Sequence, residues 1–386
     1  MRIWAWGANS NSQLGFDFKC EQISTPRNVP FHVQNEQPGP IADSSSFQII
    51  PVKICGGAYH TLFLVEKAHN DDKIHQLKVT PQFHIMMTTQ VSDISAGWNF
   101  NSCISKPHSR LVSFGENITY GQLGYNCEDE DAADICKTIS SLLLPDRFAI
   151  YVNPPIAFSS IAAGVRFSVG LDTDFRPYFW GDNSKSFFSV NCTNNNEIIE
   201  TPTLLNVEQP GIKFRTIRCG KSFVLALSQN NCIYGCGLNK FGVLLKKDRI
   251  VSTLTLIWQC PFDEEIVDIQ CGWTHALMLT KSGKIFSWGR NNFFQLGRNF
   301  DGDFDSNIQQ VDIPDFAVAI SCGSEHNLSL TSSNKVFSWG WNEHDNCGVP
   351  SAVKESVPLP TEVQFPEQCV ISIIGCGPGS SFAVSD

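Results

Sequence analysis

The sequence is poor in charged residues and has no long apolar run. Only 17% of its 386 residues are charged, and no eighteen consecutive residues are apolar, which argues against a membrane-spanning helix. The opening MRIWAWGANS has no signal-peptide core. A net charge of −10 disfavours strong binding to nucleic acid or to an anionic membrane. We therefore expect a soluble intracellular protein without direct nucleic-acid contact or membrane insertion, in the cytoplasm, with the nucleus left open.

Sequence signatures of catalysis are also missing. We find no glycine-rich phosphate loop with a lysine, no HExxH, no GxSxG and no obvious pair of carboxylates. GCGPGSS is rich in glycine, but it belongs to a repeated strand and opens no helix, so it is a poor phosphate site. We predict no cofactor and no enzyme chemistry. Nucleotide exchange on a small GTPase stays open, because it needs no reactive side chain.

Cysteine is plentiful, but its pattern does not indicate a disulfide scaffold. The count of fifteen is odd, and a chain of this length does not need disulfide bonds to stabilise its fold. The cysteines that recur in one CG dipeptide per unit are Cys55, Cys219, Cys271, Cys322 and Cys376. We interpret them as small buried packing residues rather than redox or metal-binding groups. Cys232 and Cys236 have no second pair at zinc spacing, and we predict no metal site.

What the sequence does contain is an internal repeat. Each unit is an apolar strand, then Cys-Gly or Ala-Gly, then about three variable residues, then a second strand, as in DIQCGWTHALMLT. The repeated glycines are Gly56, Gly97, Gly164, Gly220, Gly272, Gly323 and Gly377. A hairpin turn and a strand ending in WG or a variant of it follow in the intact units. Because one such sheet cannot bury both faces, seven units predict an all-β, seven-bladed β-propeller.

The two ends of the chain complement each other. The opening IWAWGANSNSQLG is a WG strand with no upstream partner, and the last unit stops before its own WG strand. We predict one domain over residues 1–386, closed by pairing the N-terminal strand with the C-terminal blade. Loop insertions are expected near 27–50 and 125–158. The acidic run in the second insertion, at 128–134, is interpreted as a solvated loop or, alternatively, a docking patch for a basic partner.

The aromatic residue before each WG glycine should fill the space between blades. Trp6, Trp180, Trp288 and Trp339 occupy this position. The second unit is an exception, because it has lost the WG strand and contains DDKIHQLKVTPQF instead. We expect this divergence to leave the ring intact.

Strand directions place the turns after CG and the loops after WG on one face of the disc. The residues expected on this face are Trp98, Trp273, His275, Ser324, Glu325, His326, Trp341, Asn342, Glu343, His344, Asp345 and Asn346. Trp341, beyond the glycine of WGW, has either of two roles: an aromatic binding anchor rimmed by polar groups, or a cap that folds back on its own blade. The predicted partner-binding residues are Trp98, Trp273, Glu325, Trp341, Asn342, Glu343, His344 and Asn346.

Three histidines share one repeat position: His60, His275 and His326. A ring arrangement spreads this position around the axis, so we interpret these side chains as bonding neighbouring loops rather than holding a metal.

Units of the form CGxxH…LT…G…FxWGxNxxxQLG resemble the repeats of the regulator-of-chromosome-condensation family over nearly the whole chain. DIQCGWTHALMLTKSGKIFSWGRNNFFQLGR and ISCGSEHNLSLTSSNKVFSWGWNEHDNCG are strong instances. The opening and closing motifs also resemble those of the secretion-regulating exchange factors (DelGEF) and the fungal α-tubulin-suppressor proteins.

The resemblance implies two functions. The fungal relatives imply an interaction scaffold for a small zinc-finger electron-transfer protein that serves diphthamide synthesis and Elongator-dependent tRNA wobble-uridine modification. The alternative is guanine-nucleotide exchange on, or regulation of, a small GTPase linked to secretion. Ultraviolet sensing, as in plant photoreceptors of similar fold, has little support, because GWTH occurs only once and the repeated GWRHT motifs are absent.

Overall fold

A computed structural model describes residues 2–16, 18, 20–30, 32–34, 49–67, 76–80, 83–87, 91–106, 108–115, 120–124, 156–191, 197–261, 264–349 and 355–385. All regular secondary structure in these ranges is β-strand, and they contain no helix long and apolar enough to cross a membrane. Most of the two predicted insertions, including the acidic run at 128–134, lies outside the described residues. The chain is an all-β propeller.

Six sheets are antiparallel blades, five of four strands and one of three. The terminal blade contains β1 (Arg2–Ala8), β2 (Gln22–Asn28), β27 (Ile371–Cys376) and β28 (Ser380–Ser385). The three-stranded blade contains β8 (Val91–Ala96), β9 (Phe100–Ser105) and β10 (Arg110–Gly115). The next two blades contain β11 (Phe158–Ala163), β12 (Phe167–Asp172), β13 (Pro177–Asp182) and β14 (Ile198–Leu204), then β15 (Phe214–Cys219), β16 (Phe223–Ser228), β17 (Cys232–Leu238) and β18 (Ile250–Gln259). The last two contain β19 (Ile266–Cys271), β20 (His275–Thr280), β21 (Ile285–Arg290) and β22 (Phe304–Val311), then β23 (Ala317–Cys322), β24 (His326–Thr331), β25 (Val336–Trp341) and β26 (Ser356–Glu362).

The remaining sheet departs from the predicted blade pattern. It contains β3 (His32–Gln34), β4 (Ile49–Gly56), β5 (Thr61–Lys67), β6 (Gln76–Thr80) and β7 (Phe83–Met87), in the order β3-β6-β7-β5-β4. The regular blades in the described part therefore number six, and the prediction of seven is corrected. The cause is the lost WG strand: the strand beside β5 is β7, which pairs in parallel and is reached only after β6.

The predicted closure is confirmed. β1 pairs antiparallel with β28, so that Trp4 lies opposite Ala383 and Trp6 opposite Ser381. The Nε1 of Trp4 also donates a hydrogen bond of 3.1 Å to Ser385 Oγ. The terminal blade is thus built from both ends of the described chain, which leaves neither β1 nor β28 as an unpaired sheet edge.

The core lies between neighbouring sheets, as the WG tryptophans predicted. Trp6, Trp180, Trp288 and Trp339 have no exposed surface. Each indole donates to a backbone carbonyl in the loop of the preceding blade, as Trp339 does to Gln295 at 3.0 Å. Gly297 in that loop has a φ of +63°, and a Cβ there would lie 2.6 Å from the Trp339 ring. The glycine of the QLG motif therefore leaves room for the next blade's tryptophan.

The repeated cysteines are less buried than predicted. Cys376 is buried, whereas Cys55, Cys219, Cys271 and Cys322 are partly exposed. The last three, with Cys376, line a narrow space of about 110 Å³ at the axis, because the CG ends of the first strands converge there. Burial raises the pKa of the Cys376 thiol to about 12, so it is a protonated packing group at neutral pH. All twelve cysteines in the described ranges are free thiols.

Candidate functional site

One cavity of about 760 Å³ opens on the face where the CG turns and the post-WG loops emerge. Six of the eight predicted partner-binding residues line it. They are Trp98, Trp273, Glu325, Trp341, Glu343 and His344. Residues separated by almost 250 positions in the sequence therefore share one surface, because the ring turns the same end of every blade to this face.

The floor of the cavity is an aromatic cluster at the axis. The rings of Trp98 and Trp273 lie 5.3 Å apart, although the β8–β10 and β19–β22 blades are not neighbours. Tyr59 packs edge-on against Trp98 at 6.2 Å. Backbone hydrogen bonds hold the turns in place: Trp273 N donates to Ser324 O at 2.8 Å, and Lys221 N donates to Trp273 O at 3.0 Å. Both tryptophans are half-buried, so part of each ring stays available to a partner.

Glu325 is a buried carboxylate in the wall of the cavity, with only 5% of its surface exposed. Arg290 Nη1 lies 3.2 Å from Oε1, Thr274 Oγ1 donates at 3.1 Å, and Gln295 Nε2 donates to Oε2. Its donors come from the β19–β22 blade, whereas Glu325 precedes β24 in the next blade. These charge-assisted bonds join two blades and compensate the cost of burying the carboxylate.

The Arg290 guanidinium lies close to two aromatic rings. It lies 5.0 Å from the Phe241 ring centroid and 5.1 Å from that of Phe293, and all three line the cavity. Arginine stacks well on aromatic faces because its planar cation is weakly hydrated. These aromatic contacts help to hold Arg290 beside Glu325, and the charges of the pair offset each other in the cavity wall.

The loop after WGW contains cavity-lining residues and residues that cap the turn. Trp341 is half-buried, lines the cavity and packs edge-on against His344 at 5.2 Å, while Glu343 is exposed. Asn342 and Asn346 are fully buried and do not line the cavity, and their predicted part in partner binding stays a prediction. The Asn342 side chain accepts from Cys347 N at 2.8 Å, and the Asn346 amide donates to Trp341 O. The asparagines of this loop thus form the predicted cap, and the binding role of Trp341 stays a prediction.

The capping asparagine is a repeated element that the sequence reasoning missed. Its Oδ1 accepts the backbone N–H of the residue five positions later in each of five loops. The residues are Asn9, Asn183, Asn239, Asn291 and Asn342. The asparagine after each WG-type glycine was the available signal. Asparagine side chains suit this role because they replace a backbone acceptor in a turn.

His275 and His326 bond to strands of the adjacent blade, rather than to the neighbouring loops expected from the sequence. His275 Nε2 lies 2.8 Å from Asn327 Oδ1, and His326 Nε2 lies 2.9 Å from Ser381 Oγ. Burial lowers the pKa of both rings, that of His326 to about 3. A Cβ on Gly272 would lie 2.1 Å from the His275 ring, which explains the glycine of the CG motif. No group of three His, Cys, Asp or Glu side chains in the described ranges is arranged to hold a metal ion.

Several lining residues were not predicted. Tyr59 and Lys221 lie among the variable residues after CG, and Lys240, Phe241 and Phe293 follow WG-type strands. The ammonium group of Lys221 lies 5.0 Å from the centroid of the Trp273 ring. The ammonium group of Lys240 lies 5.0 Å from the centroid of the Phe241 ring. The only sequence signal for these residues was their position in the variable parts of the repeat. That position does not predict which side chains come together in the folded protein.

Known proteins resemble this chain in sequence over most or nearly all of its length. The secretion-regulating guanine nucleotide exchange factor of Mus musculus is 26% identical over 420 residues, covering 99% of this chain and 83% of that protein. The ultraviolet-B receptor UVR8 of Arabidopsis thaliana is 24% identical over 301 residues, covering 77% of this chain and 63% of the receptor.

Solved structures agree in fold. Human WBSCR16 has a TM-score of 0.73 at 16% identity with full coverage of both chains. Prp20p from Saccharomyces cerevisiae has a TM-score of 0.71 at 16% identity, covering 99% of this chain and 90% of Prp20p. The model of the RCC1-like domain matches residues 69–384, and that of the regulator of chromosome condensation (RCC1) repeat matches residues 2–64. The chain therefore belongs to the RCC1-like repeat family, and the resemblance to the secretion-regulating exchange factors is confirmed.

Proposed function

We propose that this protein is a non-enzymatic propeller that binds a small GTPase through its cavity face and promotes guanine-nucleotide release. The observation that carries the proposal is the convergence of Trp98, Trp273 and Trp341 around one cavity. Partly exposed aromatic rings in a concave, polar-rimmed surface are the usual anchors of protein interfaces. The similarity to a mammalian guanine nucleotide exchange factor over almost the whole chain favours a GTPase as the partner.

Exchange suits a rigid ring without reactive groups. A small GTPase holds its nucleotide through the phosphate loop, Mg²⁺ and ordered switch segments. A protein that binds the nucleotide-free conformation better accelerates release by displacing these elements, and needs no catalytic side chain to do so. The blades, joined through pairs such as Glu325 and Arg290, supply a surface that keeps its shape on binding.

We also propose that the mixed sheet β3–β7 packs between the terminal blade and the β8–β10 blade. Two contacts support this. Leu62 and Leu64 of β5 share a hydrophobic cluster with Val91 and Ile94 of β8. On the other side, Phe63 packs in a cluster with residues of the terminal blade.

The small zinc-finger protein predicted as a partner stays a prediction, since none of the similar proteins supports it. It competes directly with the GTPase proposal for the cavity face. Both can be examined with one set of variants.

The test is release of fluorescent GDP from a panel of purified small GTPases. We expect wild-type protein to accelerate release from at least one GTPase by about tenfold or more, and a Trp341→Ala, Glu343→Ala variant to lose this effect. Lys281→Ala, in the hairpin turn at the opposite end of its blade, is the matched surface control. Unchanged release across the whole panel would reject the proposal. Capture of a small zinc-finger protein from cells, lost in the same variant, would favour the other partner.

A further inference from the structure

A group of exposed basic residues adjoins the aromatic cavity. Four of them belong to the loop between β17 and β18, and the fifth lies in the CG turn of the same blade. The basic loop cluster consists of Lys221, Lys240, Lys246, Lys247 and Arg249. Asp248 is the only acidic residue within residues 239–249. None of the five basic side chains has an ion-pair partner among the residues that the structure describes.

The loop is held rigidly on the cavity face. Asn239 Nδ2 donates to Lys246 O at 2.8 Å and to Asp248 O at 3.0 Å, and Asn239 N donates to Arg249 O at 2.8 Å. Lys240, at the start of the same loop, lines the cavity itself. The positive charges therefore begin at the aromatic wall and continue along one supported loop.

The charge of this region is opposite to that of the chain. The protein has 38 acidic and 28 basic residues, for a net charge of −10. Within the cavity the charges of Glu325 and Arg290 cancel at 3.2 Å, so Lys221 and Lys240 face only Glu343 on the other wall. A locally positive edge on a negative protein selects for a short anionic ligand, because charges beyond about 10 Å are screened.

We propose that the cavity and the basic loop cluster bind an acidic segment of a partner protein. An aromatic or large aliphatic side chain of that segment enters the cavity beside Trp98, Trp273 and Trp341. Flanking carboxylates pair with Lys221, Lys240 and the 246–249 loop. The apolar anchor supplies most of the affinity, and the rim charges supply orientation and on-rate.

Two other ligand classes fit less well. The faces of Trp273 and Phe241 already have lysine ammonium groups 5.0 Å from their centroids, which disfavours a cationic side chain in the same place. A single-stranded nucleic acid could stack on the indoles, but its long run of phosphates would meet the excess negative charge outside the cluster. The inference rests on the proposed function only in treating this face as protein-binding.

The experiment is selection from a displayed random-peptide library on the folded full chain, with no GTPase present. We expect the enriched peptides to share an aromatic or leucine residue flanked by Asp or Glu. Fluorescence anisotropy should show about tenfold weaker binding of the best peptide to a Lys240→Glu, Lys247→Glu variant, and weaker binding as NaCl rises from about 50 to about 500 mM. Lys281→Glu, Lys335→Glu, which reverses two exposed charges in hairpin turns on the other face, should bind like wild type.

Enrichment of basic or uncharged peptides, or equal binding to both charge-reversal variants, would overturn the inference. Tighter binding of a single-stranded oligonucleotide that is lost in the Lys240→Glu, Lys247→Glu variant would also overturn it, in favour of nucleic acid. Because peptides are tested without a GTPase, negative exchange assays leave this result intact. A selection that enriches no peptide would overturn the inference and leave the exchange proposal standing.

Discussion

Trp98 and Trp273 are 175 positions apart in the sequence, yet their rings lie 5.3 Å apart at the centre of the cavity face. Each follows the glycine of an AG or CG turn, at the same position of its repeat. Turns at this position converge on the axis, and only there can residues from blades that are not neighbours touch. The pair therefore closes the mouth of the ring and forms the base of the proposed binding surface.

The first prediction concerns this pair. Trp98→Ala and Trp273→Ala should be coupled, because either substitution removes the same ring contact, and aromatic pairs contribute about 0.5–1.5 kcal/mol beyond area burial. A double-mutant cycle on the free energy of urea unfolding measures the coupling. Trp98→Ala combined with the distant Trp288→Ala is the control for additivity. Strictly additive effects for Trp98 and Trp273 would contradict the contact.

The second prediction compares two tryptophans in equivalent units. Trp6 is fully buried and donates to Asn346 O at 3.0 Å, whereas Trp341 is half-buried in the cavity wall. We expect Trp6→Ala to cost about 3–5 kcal/mol of unfolding free energy, through the cavity it leaves. Trp341→Ala should cost about 1 kcal/mol while removing partner binding. Thermal and urea unfolding measure both, and comparable losses would contradict this division of roles.

The third prediction is a loss of stability in acid. Burial lowers the pKa of His326 from 6.5 to about 3, with His275 adding to the effect, and burial also lowers the pKa of His275 against the raising influence of Glu325. The folded state keeps both rings neutral, whereas the unfolded chain takes up protons once the pH falls below about 6.5. The stabilisation from His326 is complete above that pH and is lost as the pH falls toward about 3, and the stabilisation from His275 is lost in the same direction.

His326 should contribute up to about 1.4 kcal/mol per pH unit in this window. Urea unfolding between about pH 7 and pH 5 measures the slope. His326→Gln should reduce the slope of unfolding free energy against pH by an amount that corresponds to about one proton. This reduction is expected whatever the effect of the substitution on stability at neutral pH. An unchanged slope would show that His326 titrates normally in the folded state.

The fourth prediction concerns the buried ion pair. Arg290→Ala leaves the Glu325 carboxylate buried without its cation, and should cost about 2–4 kcal/mol of unfolding free energy. Adding Glu325→Gln removes the uncompensated charge and should recover part of the loss. The measurement is urea unfolding of both single variants and the double variant. A double variant less stable than Arg290→Ala would contradict the charge argument.

The fold could be predicted because the same strand and turn pattern recurs in many units along the chain. The CG and WG glycines, the tryptophans between blades and the complementary chain ends each predicted a feature that the structure confirms. The exception is the sheet β3–β7, where a unit without its WG strand completes its sheet by parallel pairing of β5 with β7. The amino-acid composition of β5 alone does not specify which strand will pair with it when the WG strand is missing.

The candidate site was predictable in part. Strand direction predicted the face, and Trp98, Trp273 and Trp341 lie together there. Burial could not be predicted in the same way, because Asn342 and Glu343 are adjacent in the loop, yet one caps the turn and the other is exposed. That choice depends on which backbone N–H groups the turn leaves for a side chain to satisfy.

The sequence by itself determined the repeat, the all-β propeller and the pairing of its ends, because local strand and turn preferences recur at matching positions. Only the tertiary structure decided which variable residues meet. Trp98 with Trp273, Glu325 with Arg290, and Lys221 with Trp273 bring together positions that are distant in the chain. Such contacts depend on the small radius of the ring and the rotation between blades, which no single repeat encodes.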